Sequence, residues 1–305
     1  MNNVKLAKRL LTIAKALVAE TDYIYDPEHK KHPGGGYHKT ESGWSKTEKK
    51  EKQQGKGNEK TDTRHLSTEY VLNALSNADS NERVDIASNH KLSVDTLNTL
   101  SKSEDPHTRL GVSKNLSASS EILDALSKDE YRNVREGVAM NNNTSAQTLD
   151  KLSNDEYDSV RGYVGMNPNT SPETLDKLSG DEIFAVRIGV AGNPSTSPKT
   201  LDKLSKEDGW GVKNSVAKNP NTSTQTLDKL SRDENWYVRA DVAKNPNTST
   251  QTLDKLSRDK DEVIRLKVAQ NKSTSVETLN KLTKDKVRDV SLSAKINLEH
   301  FHNKE

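Results

Sequence analysis

Leucine pairs recur along most of the chain at a constant step of 26 residues, and the two leucines of each pair stand three positions apart. The first leucines of these pairs are Leu97, Leu123, Leu149, Leu175, Leu201, Leu227, Leu253 and Leu279. A fixed period in this range is typical of repeat proteins, in which each unit buries its apolar face only against its neighbours. The pattern therefore predicts a stack of similar units rather than one spherical core.

A second apolar pattern lies between the leucine pairs, where two valines stand four residues apart. The valine columns are found at 134/138, 160/164, 186/190, 212/216 and 238/242, and Ile264 with Val268 continues them. Residues four apart share one face of an α-helix, so a helix of about three turns is predicted here. An asparagine column from Asn89 to Asn297 follows these segments, and proline often comes next. Because asparagine tolerates the left-handed conformation, we expect a left-handed cap at this column.

The leucine pairs follow a Thr-Ser dipeptide, which predicts the start of a second, shorter helix. Ser171 followed by Pro172 fits a serine N-cap with proline at the first helical position. The sequence Thr-x-x-Glu/Gln offers a capping box one residue earlier. This alternative sequence begins at Thr144, Thr170, Thr222, Thr248 and Thr274. Each repeat is therefore predicted to contain one longer and one shorter helix.

Two other repeat architectures are excluded by the pattern. A leucine-rich horseshoe needs a third leucine two positions after the second. That position is occupied instead by Asn154, Gly180, Lys206 and Arg232. A β-solenoid needs alternating apolar and polar positions, which the repeats do not have. We therefore expect an all-α solenoid over residues 66–297, with irregular capping units at both ends and a tail over 298–305.

Residues 1–20 place apolar side chains on one helical face and basic side chains on the other. The basic residues are Lys5, Lys8, Arg9 and Lys15. The pattern predicts a basic amphipathic helix. Such a helix either contacts a membrane surface or a partner, or packs on the first repeat or on its copy in another chain. The packing role is the simpler interpretation.

Residues 21–65 have no apolar period and contain a Pro-Gly-Gly-Gly sequence and a lysine-rich run. This composition predicts a flexible linker that does not fold alone. Histidines that could suggest a metal site are His29, His32 and His38. Their spacing is a weak signal without cysteine or a placed carboxylate. Tyr37 and Trp44 are weak candidates for a short docking motif.

The composition fits a one-dimensional stack, since 30% of the residues are hydrophobic and 30% are charged. Residues 1–65 carry 14 basic and 9 acidic side chains, whereas the remaining residues carry 33 and 36. The repeats therefore lack the positive charge that nucleic-acid binding favours. There is no cysteine, which excludes disulfides and thiolate metal sites. No apolar run is long enough to span a membrane and no secretory signal is evident, so a cytoplasmic location is expected.

The repeats resemble the variant leucine-rich repeat family. The strings VRADVAKNPNTSTQTLDKLSRD and VRIGVAGNPSTSPKTLDKLSKE carry the resemblance, which covers about residues 66–297. It implies a right-handed superhelix of alternating α-helices and short 3₁₀ helices, related to HEAT and armadillo stacks. Some family members hold an iron–sulfur centre in an N-terminal cysteine cluster. This chain has no cysteine, so that cofactor does not carry over and no cofactor is expected.

An acidic column precedes a basic column by six residues in successive repeats. Its pairs are Asp129 and Arg135, Asp155 and Arg161, Asp181 and Arg187, Glu207 and Lys213, Asp233 and Arg239, and Asp259 and Arg265. Catalysis needs one asymmetric site, and six copies of one pair argue against it. We therefore interpret these residues as a structural ladder of charge-assisted hydrogen bonds between neighbouring repeats.

A row of aspartates stands beside a row of lysines in the short helices, as in Asp150 and Lys151. A lysine row could follow a phosphate backbone. The adjacent aspartates cancel most of its field at distances beyond a Debye length. A solvated surface is therefore the favoured interpretation.

The candidate site is aromatic. Phe184, Trp210 and Trp236 occupy one column in three successive repeats, and Tyr237 adjoins the last, in a chain that is only 4% aromatic. Lys213 and Arg239 lie nearby in the sequence. Such a group is typical of a protein-binding hot spot. Extra packing between repeats is the alternative, and the sequence does not choose between them.

The sequence favours a non-enzymatic scaffold that binds another protein through the solenoid surface. The basic N-terminal helix would supply a second, tethered contact through the linker. A nucleic-acid-binding solenoid and a structural component of a larger, phage-type assembly are the alternatives. No phosphate-binding loop, metal set or nucleophile–base pair in the sequence indicates an enzyme.

Overall fold

The computed structural model describes residues 37–40, 43–46, 67–89 and 91–302. The chain divides into two compact units, Met1–Asn77 and Ala78–Glu305. The amphipathic helix predicted for residues 1–20 lies outside the described residues, and so does most of the predicted linker.

A β-hairpin lies in the first unit, within the segment that the sequence analysis assigned to a linker. Strands β1 (Tyr37–Thr40) and β2 (Gly43–Lys46) pair in antiparallel register, with Tyr37 opposite Lys46. Tyrosine, threonine and tryptophan favour extended backbone, and the two strands are separated by only two residues. The segment has no alternating apolar pattern, so the sequence analysis interpreted it as a linker and did not predict the hairpin.

The first helix, α1 (Thr68–Ser76), also lies in the first unit. Ser67 caps it by accepting a hydrogen bond from the Tyr70 amide. The sequence analysis placed the start of the solenoid at residue 66, whereas the boundary between the two units falls after Asn77.

In the second unit, long and short helices alternate. The nine-residue helices are α4 (Pro106–Lys114), α6 (Arg132–Met140), α8 (Asp158–Met166), α10 (Phe184–Gly192), α12 (Trp210–Lys218), α14 (Trp236–Lys244) and α16 (Glu262–Gln270). The seven-residue helices are α3 (Val94–Leu100), α5 (Ser120–Leu126), α7 (Ala146–Leu152), α9 (Pro172–Leu178), α11 (Pro198–Leu204), α13 (Thr224–Leu230), α15 (Thr250–Leu256) and α17 (Val276–Leu282).

The helices at the two ends of this series depart from the repeat. Helix α2 (Ser80–Ala87) is shorter than the other long helices, and α18 (Arg288–His302) is the longest helix described. Helix α18 continues past Asn297, so most of the tail predicted for residues 298–305 is helical.

The core is built from the two apolar columns. In α6, Val134 and Val138 are buried, and in α7 so are Leu149 and Leu152. Burying each of these side chains contributes about 1.5–3 kcal/mol. Each long helix packs against the next long helix, and the short helices contact the long helices on either side. The second unit is therefore an α-solenoid, as its period predicts.

The short helices are α-helices rather than the 3₁₀ helices that the family resemblance implied. In α7 the Ser153 amide donates to the Leu149 carbonyl four residues earlier, at 2.9 Å. A serine caps each short helix, as Ser145 does by accepting from the Thr148 amide. The capping box predicted at Thr144 is wrong, because its hydroxyl donates to the Val138 carbonyl at 2.6 Å instead.

The asparagine column does not adopt the left-handed conformation that the sequence analysis expected. Asn141 has φ −74° and ψ 127°, which is extended backbone. Its side-chain Nδ2 donates to the carbonyls of Ser113 and Asn115 in the preceding repeat, both at 2.9 Å. Its Oδ1 accepts from the Asn143 amide. The column is therefore used to join neighbouring repeats through buried hydrogen bonds.

This asparagine ladder runs through the whole second unit. Each member donates to a main-chain carbonyl of the previous member. The donors are Asn115, Asn141, Asn167, Asn193, Asn219, Asn245, Asn271 and Asn297. Because an unpaired buried polar group costs about 1–3 kcal/mol, these amides fix the register of one repeat on the next.

Candidate functional site

A ladder of arginine and aspartate side chains lies at the beginning of the long helices. Arg135 Nε and Nη2 donate to the two carboxylate oxygens of Asp155 in the next repeat, at 2.6 and 3.0 Å. Its Nη1 donates to the carbonyls of Asp129 and Glu130 at 2.8 and 3.2 Å. The hydrogen bond to Asp155 raises the pKa of the Arg135 guanidinium, although burial opposes the shift. The aspartate six residues before the arginine therefore contributes its main-chain oxygen, and the carboxylate comes from the following repeat.

The same contact recurs in successive repeats. The pairs are Arg109–Asp129, Arg135–Asp155, Arg161–Asp181, Arg187–Glu207, Lys213–Asp233, Arg239–Asp259 and Arg265–Asp285. The sequence analysis missed Arg109 and Asp285 at the two ends, although both stand at the 26-residue step. The hydrogen bond from Arg265 lowers the pKa of Asp285, against the effect of burial.

Two pairs in the middle of this ladder are weaker. The side chains of Arg135 and Asp155 are 10% and 7% exposed, whereas those of Arg187 and Glu207 are 21% and 23% exposed. Lys213 makes one contact with Asp233, at 3.0 Å, in place of the two parallel bonds of an arginine. The ladder is therefore least buried at Arg187 and Lys213, in the helices that begin with Phe184 and Trp210.

The aspartate and lysine rows of the short helices also link successive repeats. The Thr174 hydroxyl donates to Asp150 at 2.9 Å. Lysine ammonium groups reach the aspartate of the preceding repeat in the pairs Lys151–Asp124, Lys229–Asp202, Lys255–Asp228 and Lys281–Asp254. Hydrogen bonds from Lys206 and Lys229 lower the pKa of Asp202 to about 2. The charges of this surface are thus largely paired with one another.

Four large aromatic side chains lie on the surface at the beginning of three successive long helices. Phe184, Trp210 and Trp236 are the first residues of α10, α12 and α14, and their side chains are 44%, 55% and 38% exposed. Tyr237 is 50% exposed. The buried valine of each helix comes two residues after the first position, so the aromatic ring points away from the core. These four residues are called the aromatic surface below.

The rings of the aromatic surface contact one another across repeats. Tyr237 stacks on Trp236 with 3.8 Å between ring centroids, and its centroid is 5.9 Å from that of Trp210. The Phe184 ring lies against the backbone of the next repeat, since a Cβ on Gly211 would be 2.8 Å from its Cζ. A Cβ on Gly209 would be 2.8 Å from its Cε2. The two interpretations left open by the sequence are therefore compatible, because the rings pack between repeats and stay exposed.

Lys213 and Arg239 do not belong to this surface. Lys213 is paired with Asp233, and Arg239 is buried and forms bonds to Asp259 of 2.7 and 3.2 Å. The sequence analysis set both cations beside the aromatic residues because they are close along the chain. Their ladder partners stand 20 residues further on, in the next repeat, and hold them there.

Tyr131 and Tyr157 are aromatic residues at helix starts that the sequence analysis did not select. Each precedes the first residue of its helix, one position before the column of the tryptophans. The Arg109 guanidinium lies 5.4 Å from the Tyr131 ring centroid, and that of Arg135 lies 5.5 Å from the Tyr157 ring. These distances are typical of cation–π contacts. An aromatic residue two positions after a ladder aspartate is the signal that could have found them.

Among the residues that the structure describes, no group of three histidine, aspartate or glutamate side chains could hold a metal ion. His29 and His32 lie outside those residues. In the same part of the chain, no helix combines the length and the apolar character needed to cross a membrane.

Comparisons with known proteins identify the fold. No protein-family model matches the sequence, and no curated protein matches it. The solved structure of a leucine-rich repeat variant with a novel repetitive motif is 20% identical and covers 77% of this chain and 88% of its own, with a TM-score of 0.50. A solved engineered protein is 14% identical and covers 74% of this chain and 86% of its own, with a TM-score of 0.35. The first of these confirms, at the level of fold, the resemblance to variant leucine-rich repeats.

Proposed function

We propose that this protein is a non-enzymatic scaffold that binds another protein through the aromatic surface. The observation that carries the proposal is the exposure of four aromatic side chains in three successive repeats of a chain with few aromatics. Tryptophan and tyrosine dominate the binding energy of protein interfaces. A solenoid presents such residues in a row along an extended surface.

The rings are also held in place before any partner arrives. Tyr237 is stacked on Trp236, and Phe184 rests on the backbone of the next repeat. A side chain that is already ordered loses less conformational entropy on binding, by about 0.5–1.5 kcal/mol for each residue. This preorganisation favours a binding role over incidental exposure.

The repetition of the other polar groups supports a non-enzymatic role. The arginine and asparagine ladders repeat the same contact at each step and use their donors and acceptors to join repeats. A catalytic site needs a group that is placed and activated differently from its copies. The aromatic surface, in contrast, is formed by residues at the start of three of the long helices.

Affinity capture from native lysate, with and without nuclease treatment, tests the proposal. The triple variant Phe184→Ala/Trp210→Ala/Trp236→Ala is compared with wild type and with a matched control, Tyr131→Ala/Tyr157→Ala. We expect wild type and control to capture the same protein partner and the triple variant to lose it. Circular dichroism establishes that all three proteins fold.

Capture of the same partner by the triple variant would show that the aromatic surface serves packing alone. Loss of the captured material on nuclease treatment would favour nucleic acid, whose bases also stack on aromatic rings.

A further inference from the structure

Exposed carboxylates accompany the aromatic surface. Glu182, Asp208 and Glu234 each stand two residues before one of its aromatic residues, and all three are exposed. Within the described residues, no cation lies within ion-pair distance of these three side chains. The aromatic surface is therefore bordered by carboxylates that form no ion pair within the described residues, of which Glu182 still interacts electrostatically with Arg161.

The cations that stand closest in the sequence are already engaged. Arg187 and Lys213 are ladder residues bonded to Glu207 and Asp233. Lys206 and Arg232, in the preceding loops, are each bonded to an aspartate four residues earlier. None of these four side chains is free to neutralise the carboxylates beside the rings.

The tyrosine repeats provide an internal comparison. The same carboxylate column there contains Glu130 and Glu156, whose oxygens lie 3.7 and 3.8 Å from the ladder arginines Arg109 and Arg135. Those two carboxylates lie within ion-pair distance of a cation, whereas, in the described part of the chain, Asp208 and Glu234 do not, and Glu182 interacts with Arg161 only from a longer distance. The rings of Tyr131 and Tyr157 are exposed as well, so the two groups of repeats differ in whether the neighbouring carboxylate forms an ion pair with the ladder.

Building on the proposed function, we propose that the aromatic surface binds an extended segment of another protein that carries lysine or arginine side chains. A cation is attracted to the face of an aromatic ring, most strongly to tryptophan. The same cation can also pair with a neighbouring carboxylate. A polyanion such as nucleic acid would meet three unpaired carboxylates and be repelled.

The repeat spacing determines the spacing of the cations. Successive long helices pack side by side, and packed helices lie about 8–10 Å apart. A polyproline II segment rises about 3.1 Å per residue and has three residues per turn, so three residues of the partner span one repeat and every third side chain lies on the same face. The partner segment therefore carries a basic residue at every third position over three repeats.

Fluorescence anisotropy with the full chain and a labelled peptide that has lysine at every third position tests this inference. The variant Glu182→Gln/Asp208→Asn/Glu234→Gln should weaken the peptide's Kd roughly tenfold. The matched control Glu104→Gln/Glu130→Gln/Glu156→Gln, in the same column, should leave the Kd within about twofold. A peptide of the same composition with adjacent lysines should bind more weakly.

Equal affinity for peptides with glutamate in place of lysine, or tighter binding of a single-stranded oligonucleotide, would overturn the inference. So would a Kd that the neutralised variant leaves unchanged. If the lysine peptide does not bind but lysate capture still requires the aromatic surface, the basic partner is wrong and the scaffold stands. If capture survives the aromatic triple variant, the scaffold itself is wrong.

Discussion

Aromatic residues stand at the start of long helices in two regions of the solenoid, and their surroundings differ. In the first region, Tyr131 and Tyr157 precede their helices and lie beside ladder arginines of the preceding repeat. In the second region, Trp210 and Trp236 are the first helical residues and lie on either side of Tyr237. All of these rings are exposed, so the shift of one position along the chain decides whether a ring lies against a ladder arginine or against another aromatic ring.

The exposure of the ladder pairs also differs between the two regions. Under Tyr157, the pair of Arg135 and Asp155 is buried. At Gly209, which has no side chain to provide such a cover, the pair of Arg187 and Glu207 is about two to three times as exposed. The comparison teaches that the ladder is less buried in the middle repeats, where no tyrosine among the described residues lies beside the ladder cation.

The two regions should differ most in the free energy of unfolding that is lost when a ladder cation is removed. Arg135→Ala leaves the buried Asp155 carboxylate unpaired, so we expect a loss of about 3–5 kcal/mol in the free energy of unfolding. Lys213→Ala breaks a more exposed single contact and should lose about 1 kcal/mol. Urea denaturation followed by circular dichroism measures both, and equal losses would remove the distinction between the regions.

Removing one ring from each region should have a smaller effect. Tyr157→Ala removes a ring beside the guanidinium groups of Arg132 and Arg135, and should lower the free energy of unfolding by about 1 kcal/mol. Trp210→Ala removes a more exposed ring and should lower it by about half as much. Tyr157→Phe keeps the ring and is the control. A larger loss for Trp210→Ala would mean that the aromatic surface is mainly structural.

The contact of Phe184 with the next repeat can be measured by a double-mutant cycle. Gly211→Ala places a methyl group against the Phe184 ring, which must then move. In a Phe184→Ala background the same change should be more favourable by about 0.5–1 kcal/mol. The cycle compares the urea midpoints of both single variants and the double variant. Additive effects would show that the ring does not rest on this backbone.

The smallest effect concerns the short helices, where we expect the two regions to behave alike. Hydrogen bonds from Lys206 and Lys229 lower the pKa of Asp202 to about 2, and those from Lys151 and Thr148 lower that of Asp124. A depressed pKa stabilises the fold above the unfolded value of about 4, and this stability is lost as the pH falls towards 2.

The variants Asp202→Asn and Asp124→Asn should therefore be less stable than wild type at neutral pH by less than about 1 kcal/mol, because these contacts are partly exposed. The difference for Asp202→Asn should vanish between about pH 4 and pH 2, and the difference for Asp124→Asn should also shrink as the pH falls below about 4. Urea midpoints at a series of pH values measure this. A difference that grows on acidification would contradict the assigned contacts.

Much of the fold was predictable from the sequence because each repeat contains the same local sequence signals. The paired valines and leucines predicted the long and short helices, and Ser171 before Pro172 predicted the cap of a short helix. These signals are local, since they depend on residues within one or two turns.

Contacts between repeats were harder to predict. The sequence analysis predicted a left-handed cap at Asn141. The acceptors of its side chain are main-chain carbonyls in the preceding repeat, and because every residue has a carbonyl, the sequence does not indicate which ones accept. The sequence analysis also placed Lys213 and Arg239 beside the aromatic residues. It did not identify their carboxylate partners, which lie in the next repeat. The column of Phe184, Trp210 and Trp236 was visible from the sequence, but its exposure depends on the neighbouring repeats.

The two ladders give the array a direction, like that of a polymer with unlike ends. Towards the next repeat, a unit offers a guanidinium and main-chain carbonyls, and towards the previous repeat it offers a carboxylate and an amide. Head-to-tail contacts of this kind do not close on themselves and would continue as a filament. The position 26 residues after Arg265 is Ser291 in α18, and its hydroxyl donates to the Arg288 carbonyl of the same helix. The last described helix therefore lacks the cation with which the other long helices from α4 onward reach the following repeat.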